Sequence, residues 1–333
     1  MNNIIFILLF VVLNLVLFFF INKIAKFLKL YDYPDNNRKI HKSKIPLVGG
    51  IYFFINLTVY VIIENSEFVD QTYFSNKREM ISVYFGALIF FLMGIYDDKS
   101  TLKPNTKLIL SILAIFISIS LSNKFIVNDL NFLFYDKQIN LNDFSVPFTI
   151  FCILVFLNAF NMIDGINGLS VSYFLICIFY LFSGSLWNLF SIVLIICSII
   201  FLYNNFRNKI FLGDSGSLLL GFILALIFIK SYNEDKIFAD QIIILMILPG
   251  IDLLRVAVSR IFKKKHAFEP DRNHLHHILA KKFNNLYSYF LIIAIILTGC
   301  MMSLYIKNDL INLIGILLIL IIYFFIINIF KSK

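Results

Sequence analysis

Eleven stretches dominated by Ile, Leu, Phe and Val run along the chain, near residues 3–22, 47–63, 81–96, 107–122, 147–162, 168–186, 188–204, 216–231, 240–258, 287–306 and 309–330. Short polar segments separate them. About 20 apolar residues, rising 1.5 Å each in a helix, cross a hydrocarbon layer of about 30 Å, so runs of this kind predict membrane-spanning helices. The expected fold is an all-α polytopic membrane protein of about 11 transmembrane helices, with residues 1–333 forming a single integral membrane domain. The first run has no basic residue before it and Lys23, Lys26 and Lys29 after it. That polarity is opposite to a cleavable signal peptide, and predicts a retained helix with its N-terminus outside.

Composition agrees with the pattern. Apolar residues make up 60% of the 333 and charged ones 15%, with a mean hydropathy of +0.86. These values exclude an ordinary soluble domain and make the lipid bilayer the first partner. A formal charge of +9 would suggest nucleic acid for a soluble protein, but here its placement decides. With the N-terminus outside, the segments assigned to the cytoplasm carry 21 Lys and Arg and the outer connections carry seven. This asymmetry is the positive-inside rule, and it predicts a cytoplasmic C-terminus and no nucleic-acid partner. Residues 123–146 read as an outer loop with short local structure. Cys152, Cys177, Cys197 and Cys300 lie inside apolar runs and form no CxxC pair, so they read as small apolar packers.

Four polar groups interrupt the apolar pattern, and in this topology each emerges on the cytoplasmic face. The first is Asp97-Asp98-Lys99, followed by Pro104 and Lys107. Adjacent carboxylates repel, which suits a base or metal site and equally suits a solvated helix end. The second runs from Asn158 to Leu169 and contains Asn161, Asp164, Gly165, Asn167 and Gly168. The i, i+3 spacing of Asn158, Asn161 and Asp164 puts all three on one helical face, an expensive arrangement at membrane depth unless something binds there. The glycines permit a turn and a close approach. A helix C-cap joined to an N-cap accounts for Asp164 and the glycines, and leaves both asparagines unexplained.

The third group, Phe211-Leu212-Gly213-Asp214-Ser215-Gly216-Ser217, opens a helix. It reads as an N-cap, or as a carboxylate holding a divalent ion beside amides that favour phosphate. The fourth contains Lys263-Lys264-Lys265-His266 and then Pro270-Asp271-Arg272-Asn273-His274-Leu275-His276-His277. The lysines read as an orientation or headgroup signal. Arg272 with three histidines suits phosphate recognition better than zinc, because no cysteine or carboxylate set completes a zinc site. Asp252 and Arg255, spaced i, i+3 within one run, read as a mutually neutralising structural pair.

Taken in order, Ile45-Pro46-Leu47-Val48-Gly49-Gly50-Ile51, Asp97-Asp98 with Lys107, the Asn158 to Leu169 segment, Phe211 to Ser217 and Pro270-Asp271-Arg272 with His274, His276 and His277 resemble a known family. It is the bacterial polyprenyl-phosphate N-acetylhexosamine-1-phosphate transferases, and the loop from Pro270 to His277 is similar to the branch that uses UDP-GlcNAc. The resemblance implies transfer of GlcNAc-1-phosphate from UDP-GlcNAc to undecaprenyl phosphate with Mg2+ or Mn2+, leaving UMP. It implies a multi-pass protein of the bacterial inner membrane whose active site faces the cytoplasm, and it is compatible with a homodimer. By likeness, Asp214 and Asn161 hold the metal, and Asp97 or Asp98 assists the attacking lipid phosphate. Lys107 meets a phosphate, while Asp164, with Asn158 and Gly165 beside it, lines the nucleotide pocket. Arg272, His274, His276 and His277 bind diphosphate or sugar.

Related enzymes use UDP-QuiNAc or UDP-FucNAc, which the motifs do not separate from UDP-GlcNAc. A polytopic transporter is the rival from another class, since intramembrane Asp and Asn also mark ion pathways. It needs polar groups near mid-membrane, whereas these cluster at one face. A CDP-alcohol phosphotransferase would need further aspartates soon after Asp164, and the next one is Asp214. A scaffold without activity gives no reason for buried amides and carboxylates.

Overall fold

The computed structural model describes residues 2–34, 44–66, 72–183, 187–264, 273–305 and 309–331. Each of the eleven predicted runs overlaps one helix, most of which extend beyond the predicted bounds: α1 (Asn2–Leu28), α2 (Gly49–Glu64), α3 (Lys77–Lys99), α4 (Pro104–Leu121), α5 (Ser145–Ile163), α6 (Leu169–Leu181), α7 (Leu189–Asn205), α8 (Gly213–Asn233), α9 (Ala239–Phe262), α11 (Asn285–Tyr305) and α12 (Asp309–Lys331). Another, α10 (Leu275–Lys282), lies in a segment read as a loop. Its apolar face is only Leu275, Ile278 and Leu279, all buried, too short a repeat to stand out among histidines and lysines.

Among the described residues, eight helices are long and apolar enough to cross a membrane, so the chain is a polytopic membrane protein. The other apolar helices, α2, α6 and α7, have 16, 13 and 17 residues. At 1.5 Å per residue α6 is about 20 Å long, well short of a layer of about 30 Å.

The chain divides into two compact units, residues 1–122 with 182–223, and residues 123–181 with 224–333. The division falls within α8, whose apolar stretch is buried throughout. In the first unit α1 packs on α7, and α2 on α3 and α7, while α3 packs on α4. Asn14 of α1 and Asn56 of α2 exchange amide hydrogen bonds at 2.9 and 3.0 Å. Such pairs satisfy groups that lipid cannot, and add about 1 kcal/mol between helices. Helix starts follow local chemistry. Asn76 accepts the Glu79 N–H ahead of α3, and Asn188 with Ser191 forms a capping box on α7. Pro104 opens α4, where no N–H is needed. Strand β1 (Tyr31–Asp32) pairs antiparallel with β2 (Ile45–Pro46).

In the second unit α9 packs against α5, α11 and α12. Pro249 lies inside α9 and has no N–H to give the Leu245 carbonyl four residues back. The Tyr173 hydroxyl of α6 takes that place at 3.1 Å. The stretch expected as an outer loop holds a hairpin, β3 (Asp129–Phe132) with β4 (Tyr135–Asn140). The Tyr232 hydroxyl accepts the Asn131 N–H and donates to the Asp129 carbonyl, and buried Asp240 accepts the Leu133 N–H.

Replacing Tyr173 with Phe leaves the Leu245 carbonyl without a donor in a dry interior. The expected loss is about 1–3 kcal/mol, read as a lower unfolding midpoint of the detergent-solubilised protein. An unchanged midpoint would contradict this account of Pro249.

Candidate active site

Two groups of polar side chains take shape, one within each unit. In the first, Asp97 and Asp98 occupy the last turn of α3 and Lys107 the first turn of α4. The two neighbouring carboxylates do different things. Asp97 accepts the Leu102 N–H at 2.7 Å with one oxygen and the Lys107 ammonium at 2.7 Å with the other. Asp98 accepts the N–H groups of Asp214 and Ser215 at 2.8 and 3.1 Å, closing the N-terminus of α8 from 116 residues away. A helix leaves its first N–H groups unpaired, and a carboxylate there also favours the dipole.

Asp214 therefore stands in the first turn of α8 with its backbone held by Asp98 and its side chain turned outward. That side chain is 37% exposed against 9% for Asp97, and lies 3.9 Å from the Lys107 ammonium. All three carboxylates are within Coulombic reach of Lys107. One cation among three carboxylates leaves an anionic cluster of oxygen donors, which fits a hard divalent ion. Among the described residues no three His, Cys, Asp or Glu form a ready-made metal cage. Mg2+ does not need one, since it binds through one or two carboxylates plus substrate phosphates and keeps several waters.

The Ile45 to Ile51 motif supports this group. Phe211 donates its N–H to the Pro46 carbonyl at 2.9 Å, and Gly49 donates to the Phe211 carbonyl at 3.1 Å, so the segment straps down the loop before α8. A Cβ on Gly50 would sit 2.5 Å from the Ser215 backbone, and one on Gly94 of α3 2.3 Å from it. Gly213 adopts φ +72°, and a Cβ there would meet the Asp98 carboxylate at 2.8 Å. The glycines thus let two helices and a carboxylate close on the start of α8.

In the second unit α5 ends at Ile163, and Asp164 is its C-cap. The expected helical row keeps Asn158 and Asn161 but loses Asp164, because the chain turns there. Asn158 bonds the Leu154 carbonyl one turn back at 2.8 Å. Asp164 accepts the Ser170 hydroxyl at 2.5 Å, which holds its carboxylate across the turn into α6. Gly168 takes φ +81°, while Gly165 serves a close approach. A Cβ on Gly165 would fall 2.0 Å from Nε2 of His276.

The histidines begin α10. His274 and His276 are buried, stacked with ring centroids 5.9 Å apart, and His277 lies 4.1 Å from His276. Burial pushes the His276 pKa down to about 3, helped by His277 and opposed by Asp252. A neutral ring results at physiological pH. Asp252 of α9 accepts His274 Nδ1 at 2.8 Å, the Leu275 N–H at 3.0 Å, the Arg255 guanidinium at 2.8 Å and the Tyr323 hydroxyl at 2.8 Å. The i, i+3 pair expected from spacing is present, but it does more than neutralise itself. Arg272 lies outside the described residues, as do Lys265, His266, Pro270 and Asp271.

The structure thus gathers Asp97, Asp98, Lys107 and Asp214 in one unit, and Gly165, His274, His276 and His277 with Asp252 in the other. Asn158, Asn161 and Asp164 also belong to the second. Ser170 and Tyr323 were not anticipated. A serine opening an apolar helix carries a weak signal, and a tyrosine within an apolar run carries none.

Residues 80–232 match the profile of glycosyl transferase family 4. The probable undecaprenyl-phosphate N-acetylglucosaminyl 1-phosphate transferase of Bacillus subtilis (strain 168) is 29% identical over 268 residues, 78% of this chain and 72% of that protein. The undecaprenyl-phosphate alpha-N-acetylglucosaminyl 1-phosphate transferase of Escherichia coli (strain K12) is 29% identical over 278 residues, 79% of this chain and 72% of the relative. The protein of the same name from Yersinia pestis is 28% identical over 276 residues, 79% of this chain and 73% of its own length.

The His276 shift sets a sign for acid stability. Its folded pKa of about 3 lies below the ordinary 6.5, so the unfolded chain binds the extra proton between those values. Stability from this group is present above about 6.5 and is lost as pH falls toward 3. Unfolding midpoints in detergent should drop from pH 7 to pH 5, and His276→Gln should flatten that drop. An equal drop in both proteins would remove the buried neutral imidazole.

Proposed function

We propose, for a chain that belongs to glycosyl transferase family 4 and is a phospho-sugar transferase, that it moves GlcNAc-1-phosphate from UDP-GlcNAc to undecaprenyl phosphate. The lipid phosphate oxygen attacks the β-phosphorus of the donor, the bond between the two phosphates breaks, and UMP leaves with its electron pair. The product is undecaprenyl-diphosphate-GlcNAc, the first membrane-bound step of a cell-surface glycan. The chain works as a single integral membrane domain in a bacterial inner membrane, with N-terminus outside and reaction on the cytoplasmic face. The excess of Lys and Arg in the segments assigned to that face supports this orientation.

The observation that carries the reading is the outward-facing Asp214 beside a lysine already held by Asp97. Two anionic reactants repel, and a fixed ammonium together with carboxylates able to hold a divalent ion offsets that repulsion. Asp214 would hold Mg2+ or Mn2+, which when bound supplies charge neutralisation to the diphosphate. Lys107 meets a phosphate, and Asp97 keeps its ammonium from swinging away. Asp98 serves by seating Asp214, since both its oxygens are taken by backbone N–H groups. No strong base is required, because a phosphate monoester is largely ionised near neutral pH and needs positioning above all.

The acceptor needs an apolar slot, and the second unit has one. A cavity of about 500 Å³ is lined by Phe151, Cys152 and Phe156 of α5, Phe228 of α8, and Met246 and Gly250 of α9, among others. Its lining suits a polyprenyl chain, and a Cβ on Gly250 would meet no atom within 4 Å.

The purified protein should release UMP from UDP-GlcNAc when given undecaprenyl phosphate and Mg2+. A donor panel including UDP-QuiNAc and UDP-FucNAc then identifies the hexosamine. No release with any of these donors, together with solute uptake in vesicles, would favour a transporter. Asp214→Asn should lower turnover on the order of a hundredfold or more with membrane insertion intact, and full activity would remove the metal assignment. Gly250→Leu places a side chain in open space, so it should raise the acceptor KM about tenfold while leaving donor KM and folding unchanged. An unaltered acceptor KM would take the lipid out of this cavity.

A further inference from the structure

Asp252 is buried, yet it accepts four hydrogen bonds, and their distribution separates a neutralising role from a positioning one. Among the described residues its Oδ1 takes Arg255, the Leu275 N–H and the Tyr323 hydroxyl, while its Oδ2 takes only His274 Nδ1, at 2.8 Å. One oxygen is thus given over to the imidazole. Arg255 needs only Oδ1, so charge neutralisation alone leaves the second contact unexplained.

The same pair grips the backbone on both sides of that histidine. Arg255 donates to the Asn273 carbonyl just before His274, and Asp252 accepts the Leu275 N–H just after it. Tyr323 of α12 ties the two together, taking the Arg255 Nε–H and donating to Asp252. A carboxylate beside a guanidinium is ionised and accepts only, so Nδ1 of His274 must carry the proton. Nε2 has no partner among the described residues.

We propose that Asp252, with Arg255 and Tyr323, is the positioning residue of the histidine motif. It holds His274 with Nδ1 protonated and presents Nε2 to the nucleotide-sugar donor. This rests on the transferase reading above. Asp252 does not touch substrate in this scheme and acts through His274.

The test uses full-length protein in detergent or nanodiscs. Nitrogen-15 spectra of histidine-labelled wild type, assigned with His274→Ala, should show His274 protonated at Nδ1. A ring protonated at Nε2 alone would overturn the proposal without any variant at 252. Asp252→Asn should shift that signature and raise the donor KM about tenfold, as expected for loss of one hydrogen bond to a charged group, with the acceptor KM unchanged. In a His274→Ala background the same substitution should cost nothing further, because its effect runs through the ring. A full additional loss in the double variant would mean that Asp252 acts elsewhere, as would a lower unfolding midpoint with an unchanged donor KM. These outcomes stay separate from the function itself. If wild type turns over but Asp252→Asn keeps its donor KM, only the positioning role falls. If wild type accepts no UDP-hexosamine, the transferase reading falls and the spectrum still reports the geometry.

Discussion

A carboxylate closing the N-terminus of another helix is the interaction on which both polar groups depend. Asp98 takes the first N–H groups of α8, and Asp252 takes the first of α10. In water those amides would be solvated. In a protein with this much apolar surface an orphan N–H costs several kcal/mol, so the helix must find an acceptor or start elsewhere. Using a carboxylate from a distant helix settles two problems together, because it fixes where the helix begins and which side chain is presented there. The side chain presented is Asp214 in one unit and His274 in the other.

Close approach is the price of this device, and glycine makes it possible. The start of α8 lies against Gly50 and Gly94, where a Cβ would stand 2.5 and 2.3 Å from the Ser215 backbone. Gly213 admits the Asp98 carboxylate, and Gly165 admits the His276 ring. An alanine at any of these positions forces backbone, the Asp98 carboxylate or a packed imidazole to move. The motif beginning at Ile45, which offers no acid, base or ligand of its own, acquires its sense here as the strap and seat of the loop carrying Asp214.

The apolar pattern carried nearly all of the helical architecture, since a helix bathed in lipid is written as an uninterrupted run. It failed where burial is local. The face of α10 is three residues wide, and the hairpin from Asp129 to Asn140 is held by Tyr232 and Asp240, whose partners are about a hundred residues away in the chain. Candidate residues were legible because polar groups are costly among apolar ones. Their division of labour was not, since it depends on which partner each meets. Spacing paired Asp252 with Arg255 correctly, yet it could not reveal His274 or Tyr323 on the same carboxylate. Likewise Asp97 and Asp98 look alike in the sequence, but one holds a lysine and the other a helix.

Charge accounting narrows what the histidines can do. In the proposed reaction a donor diphosphate must be met by positive charge, and His276 is neutral at physiological pH because burial pushes its pKa down to about 3. Arg255 is paired with the Asp252 carboxylate, and donates to the Asn273 carbonyl and Tyr323 through Nη2 and Nε. In the first unit, by contrast, Lys107 keeps its ammonium beside three carboxylates, an oxygen-donor set suited to a further cation. In the proposed reaction this favours Lys107, with a divalent ion, as the partner of the phosphates. A neutral His276 ring is suited to neutral hydroxyl and amide groups, for which a correctly placed proton matters more than a charge.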